Sequence, residues 1–141
     1  MIMRRFVLPK QDRKRLTEQL KELLKGRNEI QFAYLHGSFV EKEFFRDVDL
    51  AIYVGQLIGA AIDYELNLEV LLRDKMGYPF DVRLLNHAPL SFCYEVIKSG
   101  KLFLVSNDDN RSEFEERVIL AYLDFAFHQR NYLKEVLALG V

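Results

Sequence analysis

Apolar side chains recur along much of this chain at the spacing of an α-helix. Two segments with this spacing are predicted to be helices, Lys10–Lys25 and Leu57–Lys75. In the second segment the apolar stripe consists of Ile58, Ala61, Ile62, Leu68, Leu72 and Met76. Proline opens and glycine closes a further predicted helix, Pro89–Lys98. The segment from about Asn110 to Leu139 is predicted to be one long helix or a broken pair of helices.

Short runs of apolar, aromatic and β-branched residues lie between these segments and predict strands. They are Ile30–His36, Asp47–Val54, Pro79–Leu85 and, as a short edge strand, Lys101–Val105. Strands that alternate with helices predict an α/β or α+β domain in which helices cover a small sheet. The length of 141 residues fits one domain, residues 1–141, because two separate cores would be cramped.

Composition and charge narrow the function classes. Hydrophobic residues make up 50% of the chain and charged residues 29%, which is typical of a globular protein. The net charge of -1 gives no electrostatic case for direct nucleic-acid binding. A basic stretch near the N-terminus is interpreted as a solvated helix face, because acidic residues interrupt it; its members are Arg4, Arg5, Lys10, Arg13, Lys14 and Arg15.

The single cysteine, Cys93, lies in an apolar stretch and is predicted to be a buried thiol, so no disulfide framework is expected. No cluster of Cys and His residues has the spacing of a zinc site. No apolar run approaches the roughly 20 residues needed to cross a bilayer, and the N-terminus lacks the pattern of a signal peptide. We therefore expect a cytoplasmic protein without membrane association.

Gly37 and Ser38 follow the first predicted strand and form the first candidate site. Glycine has no Cβ, so it allows a sharp turn and lets a phosphate approach the backbone closely. The serine adds a hydroxyl donor, and a helix that began here would add free N–H groups that favour an anion. Lys42 and Arg46 could neutralise the charge of a triphosphate, although an ordinary surface role fits each of them equally well.

Carboxylates form the second candidate site. Asp47 and Asp49 are two residues apart in a predicted strand, so their side chains project from one face about 7 Å apart. Such a pair repels itself unless a cation lies between, and Mg²⁺ prefers hard oxygen ligands of this kind. Asp81 is predicted on the polar face of the next strand, where it can join them as a third carboxylate. Arg83, on the same face, is a candidate to pair with a carboxylate there.

Each of these features taken alone is more often structural. A Gly-Ser pair after a strand is usually a turn, and an Asp-x-Asp at a strand start is usually a solvated edge. Their occurrence together, in order and beside apolar strands, favours a functional site. His36, directly before the glycine, is interpreted as strand-end packing rather than as a phosphate contact.

Gly37-Ser38, followed after eight residues by Asp47-x-Asp49, resembles the signature of the polymerase-β-like nucleotidyltransferase superfamily. The stretch Phe80–Asn86 and the tail around Phe114–Asp124 are similar to its minimal nucleotidyltransferase (MNT) branch. The resemblance spans about residues 10 to 135. It implies a palm with a mixed β-sheet flanked by helices, ATP as the donor, and one or two Mg²⁺ ions as cofactor.

The resemblance also implies residue roles and a partner. Gly37 and Ser38 would contact the triphosphate, Asp47 and Asp49 would bind the metal, and Asp81 would be a third carboxylate that acts as ligand or base. MNT proteins are commonly antitoxins that transfer AMP to a tyrosine of a small helical HEPN toxin. The implied function is therefore Mg²⁺-dependent AMPylation of a HEPN-type toxin.

Two other functions stay open from the sequence. One is a non-catalytic antitoxin that binds its toxin by shape alone, which the complete set of aspartates disfavours. The other is a nucleotidyltransferase for a small molecule such as an aminoglycoside, which the short chain disfavours unless a dimer completes the site. The aromatic residues of the C-terminal segment are interpreted as core or as a subunit contact, in a homodimer or a hetero-oligomer.

Overall fold

The computed structural model describes residues 4–138 and contains, within that range, a four-stranded sheet, a two-stranded sheet and five helices. The strands are β1 (Phe6–Val7), β2 (Ile30–His36), β3 (Phe44–Phe45), β4 (Val48–Val54), β5 (Phe80–Leu84) and β6 (Lys101–Val105). The helices are α1 (Lys10–Leu24), α2 (Ser38–Glu41), α3 (Ala61–Met76), α4 (Leu90–Ser99) and α5 (Asp108–Ala138). This architecture confirms the α+β fold class and the long C-terminal helix that the sequence predicts.

The four-stranded sheet has the order β5-β4-β2-β6 and is mixed, as expected. Strand β4 runs parallel to β5 and antiparallel to β2, which in turn pairs antiparallel with the edge strand β6. The parallel pairing aligns Asp49 of β4 with Asp81 of β5. Because residues in register on neighbouring strands point to the same face, these two carboxylates share one side of the sheet.

Helices cover both faces of this sheet. One core forms where α1 and α3 meet the sheet, and these two helices contribute Leu16, Leu20, Leu24, Leu68 and Leu72 to it. The other core forms where α4 and α5 meet the opposite face, and its helical members are Cys93, Val96, Phe114 and Val118. The alternation of side chains along the strands separates the two cores. The buried thiol predicted for Cys93 is confirmed.

Helix α3 begins one turn later than the sequence predicts. Gly59, just before it, has a φ of 90°, which is incompatible with a helical backbone at that point. The predicted apolar stripe is also wrong in part. Within the helix only Leu68 and Leu72 are buried, whereas Ile58 is 90% exposed and Ile62 is 57% exposed. Ile58 therefore lies before the helix, and Ile62 stays accessible to solvent.

The small sheet formed by β1 and β3 is absent from the sequence prediction. A strand of two residues carries no periodicity, and its pairing depends on contacts between distant segments. The ring of Phe6 packs against Phe45, with 5.6 Å between ring centroids, and against Tyr78, with 5.1 Å. These contacts hold the N-terminal segment against the connection between β2 and β4.

Helix α5 is unbroken, which decides between one long helix and a helix pair. Phe114 and Val118, in its first half, are buried in the core. Its second half exposes apolar side chains, namely Leu123, Phe125, Phe127, Tyr132, Leu133 and Leu137. The predicted end at Leu139 lies outside the described residues. From residue 4 to residue 138, no helix combines the length and the apolar character that crossing a bilayer requires.

Candidate active site

Gly37 stands at the turn between β2 and α2, as the sequence predicts. Its φ is 72° and its ψ is -155°, a conformation that residues with a side chain rarely adopt. A Cβ at this position would lie 2.1 Å from Oδ2 of Asp49, far inside the contact distance. The glycine is therefore required twice, by the backbone turn and by the carboxylate that packs against it.

Ser38 opens α2, so the helix that the anion-binding argument needs is present. The helix is only one turn long, and it ends with hydrogen bonds from the N–H of Glu41 to the carbonyl of Gly37 and from the N–H of Lys42 to that of Ser38. A single turn aligns few peptide dipoles. Most of the positive charge for a phosphate must therefore come from side chains.

Asp49 is the half-buried carboxylate of the site. Burial, followed by the negative charges of Asp81 and Asp47, raises the pKa of Asp49 from 3.8 to about 6, against the lowering influence of Arg83. Asp47 is exposed and lies just before β4, so the predicted start of this strand is one residue too early. An ionised carboxylate in this environment is stabilised by a neighbouring cation.

The carboxylates fit a divalent cation in charge and in donor chemistry. Among the side chains of residues 4–138, no group of three or more Asp, Glu, His or Cys residues comes together as a metal cluster. Mg²⁺ that binds together with phosphates takes only one or two protein carboxylates, and phosphate oxygens and water complete its shell. The repulsion at Asp49 is what such a cation would relieve. The metal site of Asp47, Asp49 and Asp81 stays a prediction.

Arg83 and His36 border the carboxylates. Nε of Arg83 lies 3.7 Å from Oδ1 of Asp81, which confirms the predicted pairing on this face. The ring of His36 packs against Phe92 with 5.5 Å between ring centroids, and its Nε2 is buried without a hydrogen-bond partner in the described part of the chain. Burial lowers the pKa of His36, although Asp81 opposes the change. This environment agrees with strand-end packing.

A cavity of about 400 Å³ opens beside Asp47 and Asp49. We call it the cationic cavity, because its lining includes the phosphate-binding candidates Ser38, Lys42 and Arg46 together with Arg5. Several cations around one concave surface raise the local potential and favour an anion with several charges. The structure therefore brings the predicted lysine and arginine together beside the predicted carboxylates.

Arg5 is a member of this cavity that the sequence interpretation missed. It lies directly before β1, and the pairing of β1 with β3 carries it to the site. Its guanidinium stands over the ring of Phe44, 4.9 Å from the centroid. The interpretation as a solvated helix face is therefore wrong for Arg5, and the local sequence gives no signal for a pairing with residues so far along the chain.

Arg13 is a second residue for which that interpretation is wrong. Its Nε donates to the carbonyl of Leu8 at 2.8 Å, and its Nη1 donates to the carbonyls of Phe39 and Lys42 at 2.6 Å. Its Nη2 donates to the carbonyl of Glu43. One guanidinium on α1 thus fastens the segment that carries the phosphate-binding candidates.

Comparison with known proteins agrees with this geometry. Residues 18–110 match the sequence family described as "Polymerase beta, Nucleotidyltransferase". No protein of curated function matches the sequence. Solved structures do match, and at the identities found they show a shared fold.

A chain from the tri-AMPylated Shewanella oneidensis HEPN toxin in complex with MNT antitoxin has a TM-score of 0.68 and 18% identity, over 89% of this chain and 98% of that chain. A chain of the toxin–antitoxin MntA-HepT has a TM-score of 0.66 and 18% identity, over 88% of this chain and 98% of that chain. A chain of a toxin–antitoxin structure with AMP-PNP has a TM-score of 0.68 and 21% identity, over 86% of this chain and 98% of that chain. Because the family match covers more than half of the sequence, the chain belongs to the polymerase beta nucleotidyltransferase family.

Proposed function

We propose that this protein is a Mg²⁺-dependent enzyme that transfers AMP from ATP to a tyrosine hydroxyl of a HEPN-type toxin. The observation that carries the proposal is the arrangement around Asp49. Asp81 stands beside it on the next strand, and the cationic cavity opens next to it. Membership of a nucleotidyltransferase family supports the same type of reaction.

The cationic cavity would hold the triphosphate. Arg5, Lys42 and Arg46 offset the charge of the phosphates, and the hydroxyl of Ser38 donates a hydrogen bond to a phosphate oxygen. Arg13 keeps this lining in place through its bonds to backbone carbonyls. Positioning and charge neutralisation are the main contributions that a protein makes to this class of reaction.

The carboxylates would act at the α-phosphate. Asp47 and Asp49 would hold Mg²⁺, which when bound neutralises phosphate charge. The acceptor oxygen attacks the α-phosphorus, the bond from that phosphorus to the bridging oxygen of the β-phosphate breaks, and pyrophosphate leaves. Asp81 accepts the proton of the attacking hydroxyl, while Arg83 orients the Asp81 carboxylate through their contact.

The acceptor is inferred from the solved relatives. They include a HEPN toxin that carries three AMP groups in complex with an MNT antitoxin, and a toxin–antitoxin structure that contains AMP-PNP, an ATP analogue. These molecules match the product and the donor of the proposed reaction. We extend the same donor and acceptor classes to this chain, which we propose to act in the cytoplasm as one domain, residues 1–141.

Mass spectrometry tests the proposal directly. The protein is incubated with ATP, Mg²⁺ and a purified HEPN-type toxin, and the toxin is expected to gain the mass of one or more AMP groups on tyrosine. Asp47→Asn and Asp49→Asn should each abolish the gain, because each removes a charge from the predicted metal site. Asp74→Asn is the matched control, since Asp74 is an exposed carboxylate on α3 outside both carboxylate strands.

Three results would contradict the proposal. AMP transfer that survives both Asp47→Asn and Asp49→Asn would show that the carboxylates are not required. Toxin neutralisation that survives both changes without any AMP transfer would identify a non-catalytic antitoxin. Transfer of label from ATP to an aminoglycoside, and not to the toxin, would identify a small-molecule enzyme.

A further inference from the structure

A second cavity, of about 460 Å³, lies between α3, β5 and the segment that follows β5. We call it the β5 groove; its lining includes Ala61, Ile62, Leu66, Asp81, Arg83 and Pro89. It shares no lining residue with the cationic cavity. The two cavities meet at the carboxylate pair, because Asp49 lines the cationic cavity and Asp81, its partner in register, lines the groove.

The chemistry assigns a different reactant to each cavity. In nucleotidyl transfer the attacking and leaving oxygens lie roughly in line on opposite sides of the α-phosphorus. The leaving pyrophosphate carries most of the negative charge, so it belongs with Arg5, Lys42 and Arg46 in the cationic cavity. The attacking hydroxyl must then approach from the side of Asp81, where the β5 groove opens.

The outer edge of β5 is closed to an added strand. β5 is the edge strand of its sheet. The N–H of Val82 donates to Oε1 of Glu69 at 2.9 Å, and the N–H of Leu84 donates to Oε2 of Glu65 at 2.8 Å. Because these carboxylates already occupy the donors that a further strand would use, an occupant of the groove binds through its side chains.

The wall that α3 contributes to the groove carries the apolar side chains of Ala61, Ile62 and Leu66. It also carries Glu65 and Glu69, whose carboxylates accept hydrogen bonds from β5. Ile62 is 57% exposed and Leu66 is 51% exposed, and their spacing of four residues places them one above the other on the helix. Asp81 and Arg83, which pair with each other, lie at the other wall. The exposed pair Ile62 and Leu66 suits an aromatic or aliphatic side chain of a protein.

We propose that the β5 groove docks the acceptor segment of the protein partner, by receiving an apolar side chain that neighbours the acceptor tyrosine. The inference rests on the proposed function and adds the surface by which a protein acceptor is selected. Asp81 lines the groove, so a segment bound there presents its hydroxyl to the carboxylate pair. This is why we assign the groove to the acceptor segment.

A charge placed at Ile62 or Leu66 tests whether the β5 groove docks the acceptor segment. Ile62→Lys and Leu66→Lys are each expected to lower kcat/KM for AMP transfer to a purified HEPN-type toxin at least tenfold, through a higher KM for the toxin. The dissociation constant for ATP, measured by calorimetry with Mg²⁺, should stay within twofold of the wild-type value, since neither residue lines the cationic cavity.

Val70→Lys is the matched control. Val70 lies on the same helix, is 48% exposed and is outside the groove lining, so wild-type kcat/KM is expected. Wild-type rates in both groove variants, or an equal loss in Val70→Lys, would overturn the groove assignment and leave the proposed function standing. A wild-type protein that transfers no AMP to the toxin would instead overturn the proposed function.

Discussion

At the scale of single residues, Asp49 carries the electrostatic cost of the site. Its carboxylate packs against Gly37, where no Cβ can fit, and stands beside Asp81 on the next strand. Burial and the charges of Asp81 and Asp47 raise its pKa to about 6. A half-buried carboxylate beside other carboxylates lowers the stability of the protein alone. The position therefore indicates a ligand that brings positive charge.

This cost makes a testable prediction about stability. Above pH 6 the Asp49 carboxylate is ionised in the folded and the unfolded chain, and the folded state bears the penalty; below about pH 4 both states are protonated and the penalty disappears. Asp49→Asn should therefore raise the free energy of unfolding by about 1 kcal/mol at pH 8, allowing for solvent screening of a half-buried group. The gain should vanish as the pH falls from 6 to 4.

Urea unfolding at several pH values, in buffer with EDTA, measures the effect. Asp74→Asn provides the control for removing a carboxylate, because Asp74 is an exposed carboxylate on α3 and belongs to neither β4 nor β5. Its stability should follow that of the wild type at every pH. A loss of stability in Asp49→Asn at pH 8 would show that the carboxylate is already compensated in the protein alone.

At the scale of elements, α1 and the connection between β2 and β4 depend on one another through Arg13. The guanidinium bonds four backbone carbonyls, and those after β2 are 26 to 30 residues away in sequence. Its charge also stands near the faces of Phe39 and Phe45, with centroid distances of 5.6 and 5.4 Å. A single side chain thus fixes the lining of the cationic cavity from outside it.

Arg13→Ala should therefore lower stability and impair nucleotide binding together. We expect a loss of about 2 kcal/mol in the free energy of unfolding, typical of bonds to a charged group, and a higher KM for ATP. Arg13→Lys should recover little, since one ammonium cannot reach four carbonyls. Arg15→Ala is the control, because Arg15 lies on the same helix and has a 72% exposed side chain. An unchanged KM for ATP in Arg13→Ala would show that Arg13 does not position the lining of the cationic cavity.

The same elements show how far the sequence alone reaches. Strands β2 and β6 coincide with their predicted ranges, because each is a short, mostly apolar run bounded by glycine or polar residues. Side-chain alternation places Asp81 and Arg83 on one face, but it does not reveal which strand lies alongside. The contacts of Arg5 and Arg13 depend on how distant segments pack together. The local charge pattern carries no such information and therefore predicts a solvated side chain for both.

At the scale of the whole molecule, α5 joins two different environments. Its first half closes one core of the sheet with Phe114 and Val118. Its second half presents apolar side chains to solvent over about four turns, which is more than isolated surface residues account for. The interpretation of these aromatics as core therefore holds for the first half, and for the second half a subunit contact is the interpretation that stays open.

A matched pair of phenylalanines tests this division. Phe114 is 4% exposed and Phe127 is 58% exposed on the same helix. Phe114→Ala should cost about 3–5 kcal/mol of unfolding free energy, because it leaves a cavity in the core. Phe127→Ala should change the stability of the protein alone by less than about 0.5 kcal/mol. Both are measured by urea unfolding at low micromolar concentration, where self-association contributes least. A loss for Phe127→Ala as large as that for Phe114→Ala would mean that the second half packs on this chain or on a tightly bound second copy.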